Sequence, residues 1–247
     1  MQNHIFKHRS IRKYTSQTIK SGLLNRIIEA GTRASTTGNI QLYSVVITQK
    51  EENKQRLAPF HFNQPMLTEA PVVLTICADL NRYEAWCKNR NADAGTDNLL
   101  WLLNATIDAS LFAQNIALAA ETEGLGICYL GTSLYNAPEI SQALKLPKGV
   151  IPITTITMGY PDVNPPLTDR LPLDAVMHQE HYRENTAERI NELFAEKENL
   201  VSSKQFVADN GKDNLAQVFT DVRYKRTDSE HFSGKLKAML KAQGFHL

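Results

Sequence analysis

The spacing of apolar and polar residues predicts a chain in which strands and helices alternate. Runs rich in β-branched residues, bounded by turn-forming residues, predict strands, at residues 43–48, 71–78, 127–131 and 151–158. Apolar residues at helical spacing predict helices, at residues 21–34, 97–124, 137–144, 186–200 and 234–243, and a further short helix is predicted over the polar residues 50–57. This alternation predicts one α/β or α+β sandwich.

Polar or proline-rich segments separate these elements. Residues 81–95 are polar and irregular, which predicts an excursion on the surface, and residues 204–214 are polar, which predicts a mobile stretch. Residues 159–173 contain four prolines. Because proline lacks a backbone donor, we expect an extended arm there.

Residues 97–124 are apolar nearly all round and rich in alanine. This pattern predicts a buried helix, either in the centre of the domain or at a subunit interface. The polar residues Asn104, Asp108 and Gln114 argue against a membrane span. We interpret Asp108 as a buried carboxylate with satisfied hydrogen bonds, and a catalytic acid is the alternative.

Charge and cysteine content narrow the possible partners. The 27 basic and 26 acidic residues give a net charge of +1, which provides no overall field for nucleic acid or a membrane surface. Cys77, Cys87 and Cys128 are spaced too irregularly for a disulfide framework or a zinc site. Since no apolar stretch follows the basic N-terminus, we expect no signal peptide and a cytoplasmic protein.

A basic cluster near the N-terminus is the first candidate for chemistry. His8, Arg9, Ser10 and Arg12 combine potential cations with a hydroxyl. Arg9 offers a planar set of donors suited to phosphate, and Ser10 and Arg12 can reach the same ligand. A basic surface turn is the alternative interpretation.

Two loops carry further candidates. Ser35, Thr36 and Thr37 lie in a loop that either supplies hydroxyl and backbone donors to a ligand or only turns the chain. In the proline-rich arm, Arg170 is of interest if the arm brings it to a phosphate bound by Arg9. Otherwise Arg170 is a solvated arginine.

Other site patterns are not supported. The glycines around Gly126 precede a strand, whereas the Rossmann fingerprint follows a strand and opens a helix. Gly131 could still let the backbone pass close to a planar ring. His178 and His181 are spaced as metal ligands can be, but nothing completes a ligand set, so we expect no metal. The serines lack the G-x-S-x-G context of hydrolases.

Several motifs, in the same order, resemble those of the nitroreductase superfamily, in its oxygen-insensitive nitroreductase A and flavin reductase P branch. They are HRSIRKY from His8, ID-x-x-x-x-AQN-x-x-L-AAE-x-x-GLG from Ile107, YLG from Tyr129 and MGYPDVNPPLTDRLP from Met158. The resemblance covers residues 1–183, and the shared order is more specific than any one motif.

The resemblance implies an α+β fold, a nitroreductase-like α-β-α sandwich with a central mixed or antiparallel sheet and a long buried helix, in a domain-intertwined homodimer. It also implies FMN at the dimer interface and ping-pong hydride transfer. The donor would be NADPH or NADH, and the acceptor a nitroaromatic, a quinone or free flavin. The flavin N5 would carry the chemistry, without a catalytic side chain.

Carried over by position, the resemblance also assigns cofactor contacts. His8, Arg9, Ser10 and Arg12 would hold the phosphate, the ribityl chain and the pyrimidine side of FMN. Arg12 would stabilise negative charge on the reduced ring. The other contacts would come from the hydroxyl loop, the turn before the second strand, the end of the third strand and the arm: Ser35, Thr36, Thr37, Gln64, Tyr129, Leu130, Gly131, Thr132 and Arg170.

Departures from the branch pattern affect the expected affinity. The branch reads Lys-Pro-Arg-Leu-Pro where this chain reads TDRLP at residues 168–172. One cation near the phosphate is therefore missing, and we expect weaker FMN retention. Thr132 stands in place of the second glycine of a pair, which tightens the space over the ring.

After Arg183 the resemblance fades. We predict an FMN-binding core at residues 1–183 and a C-terminal helical extension at residues 184–247, packed on the same domain or on the partner subunit. Arg223, Lys225 and Arg226 could receive the 2′-phosphate of NADPH, or form a solvated basic run. Two alternatives from other classes are a flavin- or ligand-binding homodimer without turnover and a homodimeric scaffold.

Overall fold

The computed structural model describes residues 5–246, and the chain divides into two compact units. The first unit comprises the chain up to Pro166 together with the segment from Phe232 onward, and the second comprises Leu167–His231. The division into an FMN-binding core and an extension at residue 183 stays a prediction.

In the described part of the first unit, the strands form one antiparallel sheet in the order β1-β2-β4-β3. They are β1 Tyr43–Thr48, β2 Val72–Asp79, β3 Gly126–Leu130 and β4 Val150–Gly159. The strand predictions are confirmed to within one residue at each end. Of the two sheet types that the resemblance allowed, the antiparallel one is found.

Strands β2 and β4 form the centre of the sheet because both faces of each are covered. Every residue of β2 is buried, and Thr154 is the exception in β4. Near-continuous apolar, β-branched runs suit such strands. The two strands pair from Val72 opposite Met158 to Asp79 opposite Val150.

Helices lie on both faces of this sheet. The first unit contains α1 Ser21–Gly31, α2 Glu51–Leu57, α3 Pro65–Glu69, α4 Asn81–Lys88, α5 Leu99–Thr122 and α6 Ala137–Ala143, with 3₁₀ turns at Ile5–Lys7, Thr37–Asn39, Ala58–His61 and Gly131–Ser133. Leu74 and Ile76 pack in one core with α1 and α5. Val73 points to the opposite face and packs with Leu57 and Leu67 from α2 and α3. The predicted α-β-α sandwich is confirmed.

Helix α4 corrects the prediction of an irregular excursion for residues 81–88, while residues 89–95 are irregular as predicted. Tyr83 stacks on Trp101 of α5 with ring centroids 5.6 Å apart, and Cys87 is buried. These contacts with other elements stabilise a short helix that a polar sequence alone does not. The pattern of residues within the segment therefore did not reveal the helix.

Helix α5 is buried along one side only. The Asn98 side chain caps it by accepting from the Trp101 backbone N–H at 3.3 Å. On the buried side, a Cβ placed on Gly31 of α1 would lie 2.6 Å from Ile116, so glycine permits the close packing of the two helices. The other side exposes a row of large apolar residues, Leu99, Leu100, Leu103, Ile107 and Leu111. The prediction that α5 is buried is therefore confirmed for one of its faces.

In residues 5–246, no helix has both the length and the apolar content needed to cross a membrane.

The second unit is helical. It contains a 3₁₀ turn Leu173–Ala175, helices α7 Ala187–Asn199, α8 Val201–Asp209 and α9 Leu215–Val218, and a π-helical turn Phe219–Arg223. Residues 204–214, predicted to be a mobile stretch, are helical as far as Asp209, and their mobility stays a prediction. The Arg223 guanidinium lies 5.0 Å from the centre of the Phe206 ring, and this cation–π contact helps to fix α8.

The last helix, α10 Arg226–Ala242, begins at Arg226 and not at residue 234 as predicted. Its first turns are polar and give no apolar pattern. Arg226 Nε donates to Glu230 Oε1 at 2.7 Å, and such a pair four residues apart favours the helix.

Candidate functional site

The N-terminal cluster is held against the edge of the sheet at β3. Ser10 forms a parallel bridge with Ile127, and the Ile11 backbone N–H donates to the Ile127 carbonyl at 2.8 Å. A Cβ placed on Gly126 would lie 2.6 Å from the Ile11 side chain, so glycine allows this close approach. Backbone contacts of Ser10 and Ile11 thus hold the segment against β3, while the Arg12 side chain is exposed.

The side chains of this cluster differ in what they contact. His8 Nδ1 lies 2.6 Å from Glu121 Oε1, near the end of α5. Arg9 donates through Nη1 to Asn164 Oδ1, while its Nε atom is buried and has no hydrogen-bond partner among residues 5–246. Because a buried charged donor without an acceptor is costly, Arg9 fits a ligand that brings an anionic oxygen.

Strand β3 leads from this cluster to the second group of predicted residues. Leu130 is buried, and the half-buried Tyr129 donates through its hydroxyl to Gln114 Oε1 at 3.4 Å. Burial raises the pKa of the Tyr129 hydroxyl above its usual range, so Tyr129 keeps its proton. At exposed Gly131, an added Cβ would meet no described atom within 4 Å. This end of the strand therefore leaves room for a planar group.

Thr132 contacts a histidine that sequence reasoning missed. His61 is 0% exposed, and its Nδ1 atom lies 2.7 Å from Thr132 Oγ1. Burial lowers the pKa of His61 to about 4, so the ring is neutral near pH 7. Its Nε2 atom is buried and finds no partner in the part of the chain that the structure describes. The available signal was a histidine between two phenylalanines, Phe60 and Phe62.

Gln64 reaches the same region through the same turn. Its backbone N–H donates to the His61 carbonyl at 3.2 Å, and its side chain is half-buried. The Asn136 side-chain N–H donates to the Phe60 carbonyl at 2.8 Å, which joins this turn to the segment after Thr132. The structure thus brings Gln64 and Thr132, two predicted residues, into one region.

The hydroxyl loop is bound to α5 through Asp108. Thr36 Oγ1 donates to the carboxylate at 2.5 Å, and the Thr37 backbone N–H and Oγ1 donate at 2.9 and 3.0 Å. The Leu42 backbone N–H adds a fourth contact at 3.3 Å. The interpretation of Asp108 as a satisfied buried group is confirmed. The two threonine hydroxyls donate to Asp108, and Ser35 is exposed.

Helix α5 separates the hydroxyl loop from the N-terminal cluster. Asp108 holds the loop and Glu121 contacts His8, and these two positions lie about 20 Å apart along the helix axis at 1.5 Å per residue. The two groups of predicted cofactor contacts are therefore not brought together within one chain.

In the second unit, Arg170 folds back on its own loop. Its Nη1 atom donates to Thr168 Oγ1 at 3.0 Å and to the Asp169 carbonyl at 2.9 Å. Lys197 Nζ donates to the Asp169 carboxylate at 2.6 Å, which holds the pKa of that carboxyl below its usual range. The acid that departs from the branch pattern is thus compensated by Lys197. The contact of Arg170 with a phosphate stays a prediction.

The three residues predicted to bind NADPH lie within the second unit, near its C-terminal end. Arg223 stacks on Phe206, Arg226 pairs with Glu230, and Lys225 is exposed. Their role in binding a 2′-phosphate stays a prediction. Within the described residues, no cluster of three His, Cys, Asp or Glu side chains could hold a metal ion.

A model of the nitroreductase family matches residues 5–160, which is more than half of the 247-residue chain. The chain belongs to the nitroreductase family, and the resemblance in the sequence motifs is confirmed.

Individual proteins show how close this relationship is. The Bacillus subtilis (strain 168) protein named FMN reductase [NAD(P)H] is 33% identical over 242 residues, which cover 96% of this chain and 94% of that protein. Another protein of that strain, FMN reductase (NADPH), is 32% identical over 184 residues and 74% of both chains. A crystal structure from Bacteroides fragilis NCTC 9343 has 50% identity and a TM-score of 0.97, over 99% of this chain and 100% of the other.

Proposed function

We propose that this chain is an FMN-dependent NAD(P)H oxidoreductase that transfers hydride to a nitroaromatic, a quinone or free flavin. The names of the two Bacillus subtilis relatives support FMN as cofactor and NADPH or NADH as donor. The observation that carries the proposal is the buried Arg9 Nε atom, which has no acceptor within residues 5–246. It lies on a segment bound to the strand that leads to the open surface at Gly131.

The residues present fit a flavin that carries a phosphate. We propose that one chain holds FMN through two groups, the N-terminal cluster for the phosphate, ribityl chain and pyrimidine side, and the end of β3 with the adjacent turn for the ring: His8, Arg9, Ser10, Arg12, Gln64, Tyr129, Leu130, Gly131 and Thr132. Bound FMN would supply two-electron hydride transfer at a planar ring. The chain supplies position and charge, and the exposed Arg12 guanidinium would favour added negative charge.

We propose that no side chain acts as a dedicated acid or base. His61 is a buried titratable group whose Nδ1 atom lies 2.7 Å from Thr132 Oγ1, and burial lowers its pKa to about 4. A neutral, buried imidazole of this kind does not supply protons near pH 7. Water would then protonate the reduced acceptor, and one open pocket would serve donor and acceptor in turn, which gives ping-pong kinetics.

We propose that the protein works as a homodimer, with the second copy covering α5. The exposed side of α5 carries Leu103, Ile107 and Leu111, at intervals of four residues, and such a contiguous apolar face is typical of an interface. The hydroxyl loop lies about 20 Å along the helix from the N-terminal cluster, so a second copy would let Ser35–Thr37 of one chain and His8–Arg12 of the other meet one flavin. Sedimentation of the purified protein tests the dimer.

We propose a cytoplasmic location. Cys77, Cys87 and Cys128 are all free and buried, which fits a compartment that keeps thiols reduced.

Anaerobic titration of the FMN-loaded protein tests the proposed activity. We expect NADPH or NADH to bleach the flavin absorbance, and a quinone or nitroaromatic added afterwards to restore it. A flavin that binds and is not bleached would indicate the alternative, a flavin-binding dimer without turnover. Protein that does not bind added FMN would contradict both.

A further inference from the structure

Three aromatic side chains lie together beside the turn that carries His61 and Gln64. Tyr135 stacks on Phe232, with ring centroids 4.9 Å apart and planes 13° apart. Phe62 meets both rings nearly edge-on, with its centroid 6.3 Å from Tyr135 and 6.1 Å from Phe232. These distances lie in the range where aromatic rings attract each other. We call Phe62, Tyr135 and Phe232 the aromatic wall.

The backbone presents Phe62 in an unfavourable conformation. Phe62 has φ 54° and Asn63 has φ 52°, both in the left-handed region, which asparagine tolerates and phenylalanine rarely adopts. The Asn63 backbone N–H donates to the Ala58 carbonyl at 2.8 Å and holds the turn. The Phe62 side chain is nevertheless 52% exposed, so its burial does not offset the strain. Strain of this kind next to a site suggests a function for the exposed ring.

One buried amide joins the supports of the wall. Asn136 donates through Nδ2 to the Phe60 carbonyl at 2.8 Å, and its Oδ1 atom accepts from Lys235 Nζ at 2.8 Å. Lys235 also pairs with Glu139 Oε1 at 2.6 Å. The turn before α3, the segment after β3 and α10 are therefore tied together. Because these contacts already hold the rings in place, binding of a flat partner costs little side-chain conformational entropy.

The aromatic wall is continuous with the region of Thr132 and Gln64. Phe62 follows His61, which lies 2.7 Å from Thr132 Oγ1, and precedes Gln64 by two residues. The Tyr135 backbone N–H donates to the Thr132 carbonyl at 3.1 Å. Two of the three rings thus stand on the segments proposed to line the flavin ring.

We infer that the aromatic wall binds planar aromatic acceptors, and that the exposed ring of Phe62 sets the preference for them. The inference rests on the proposed function, because it places the acceptor beside the flavin pocket. Nitroaromatics and quinones have electron-poor rings, which stack or pack edge-on against the electron-rich faces of Phe and Tyr. A ligand of equal charge without a flat ring gains nothing from such a contact.

Binding of two matched acids to the oxidised holoprotein tests this inference. The probes are 4-nitrobenzoate, which is planar and is not reduced without a donor, and cyclohexanecarboxylate, which carries the same charge on a puckered ring. We expect Phe62→Leu to weaken 4-nitrobenzoate binding about three- to tenfold, the range that aromatic pairs supply, and to leave cyclohexanecarboxylate unchanged. Phe62→Tyr should keep the parent affinity for both.

Control variants make the result specific. Trp86→Leu removes another exposed ring of the first unit and should change neither affinity, and Phe232→Leu replaces Phe62→Leu if that variant does not fold. The KM for p-benzoquinone should rise in parallel with the dissociation constant for 4-nitrobenzoate. Unchanged 4-nitrobenzoate binding, or equal losses for the two acids, overturns the inference. Failure of the parent protein to bind FMN would overturn the proposed function instead, and it would be detected when the holoprotein is prepared, before either acid is added.

Discussion

Replacing His61 by asparagine will remove an acid-sensitive contribution to the stability of the fold. The His61 side chain is fully buried, and burial lowers its pKa from 6.5 to about 4. The folded protein therefore binds this proton less readily than the unfolded chain does. The contribution is fully present above the unfolded pKa and is lost as the pH falls towards the folded pKa.

The magnitude follows from the difference of about 2.5 between the two pKa values. At 1.36 kcal/mol for each pKa unit, the full contribution is about 3 kcal/mol. Between about pH 7.5 and about pH 5, the loss is about 2 kcal/mol, because protonation of the folded state is still incomplete. Asparagine can keep a hydrogen bond to Thr132 but does not titrate, so His61→Asn will lack this loss.

Urea denaturation of cofactor-free protein at the two pH values, at one protein concentration, provides the measurement. We expect the free energy of unfolding of the parent to fall by about 2 kcal/mol more than that of His61→Asn. His181→Asn, which replaces an exposed histidine, should behave as the parent does. If the parent and His61→Asn lose stability in parallel, the reasoning about the buried imidazole is wrong.

Three further substitutions test the site and the interface. Arg9→Met should weaken FMN binding at least about tenfold, which is the contribution of a charge-assisted hydrogen bond. Lys13→Met removes the same charge and should leave FMN binding unchanged. Equal effects of the two variants in fluorescence titrations would contradict the role of Arg9. Asp108→Ala should lower the free energy of unfolding by about 3 kcal/mol, because it leaves buried donors unsatisfied, whereas exposed Asp93→Ala should change it little. Ile107→Asp should convert the dimer to monomer in sedimentation experiments, and a dimer that persists would place the interface elsewhere.

The sequence allows prediction of elements whose own residues determine them. Near-continuous runs of apolar and β-branched residues identify β2 and β4, and a long, mostly apolar and alanine-rich segment identifies α5. Helices α4 and α8 are polar segments stabilised by distant partners, as Tyr83 is by Trp101 and Phe206 by Arg223. Because those partners lie outside each segment, the spacing of residues within the segment does not predict the helix.

The site shows the same limit. The motif around His8–Arg12 could be recognised from its residue types, but its contact with β3 joins segments more than a hundred residues apart and became visible only in the structure. His61 was missed because its burial depends on Thr132 and the turn around it. Asp108 could be interpreted correctly, because a carboxylate within an apolar helix must find donors.

Helix α5 attaches two separate binding segments to one continuous rod, through Asp108 and Glu121. Each residue of an α-helix turns the chain by about 100° and advances it by about 1.5 Å. A single insertion or deletion between the two anchors would rotate one of them away from its segment while the other stayed in place. Changes of length are therefore tolerable in the exposed residues 89–93 before the helix, but not between Asp108 and Glu121, where the number of residues fixes the distance and the angle between the two anchors.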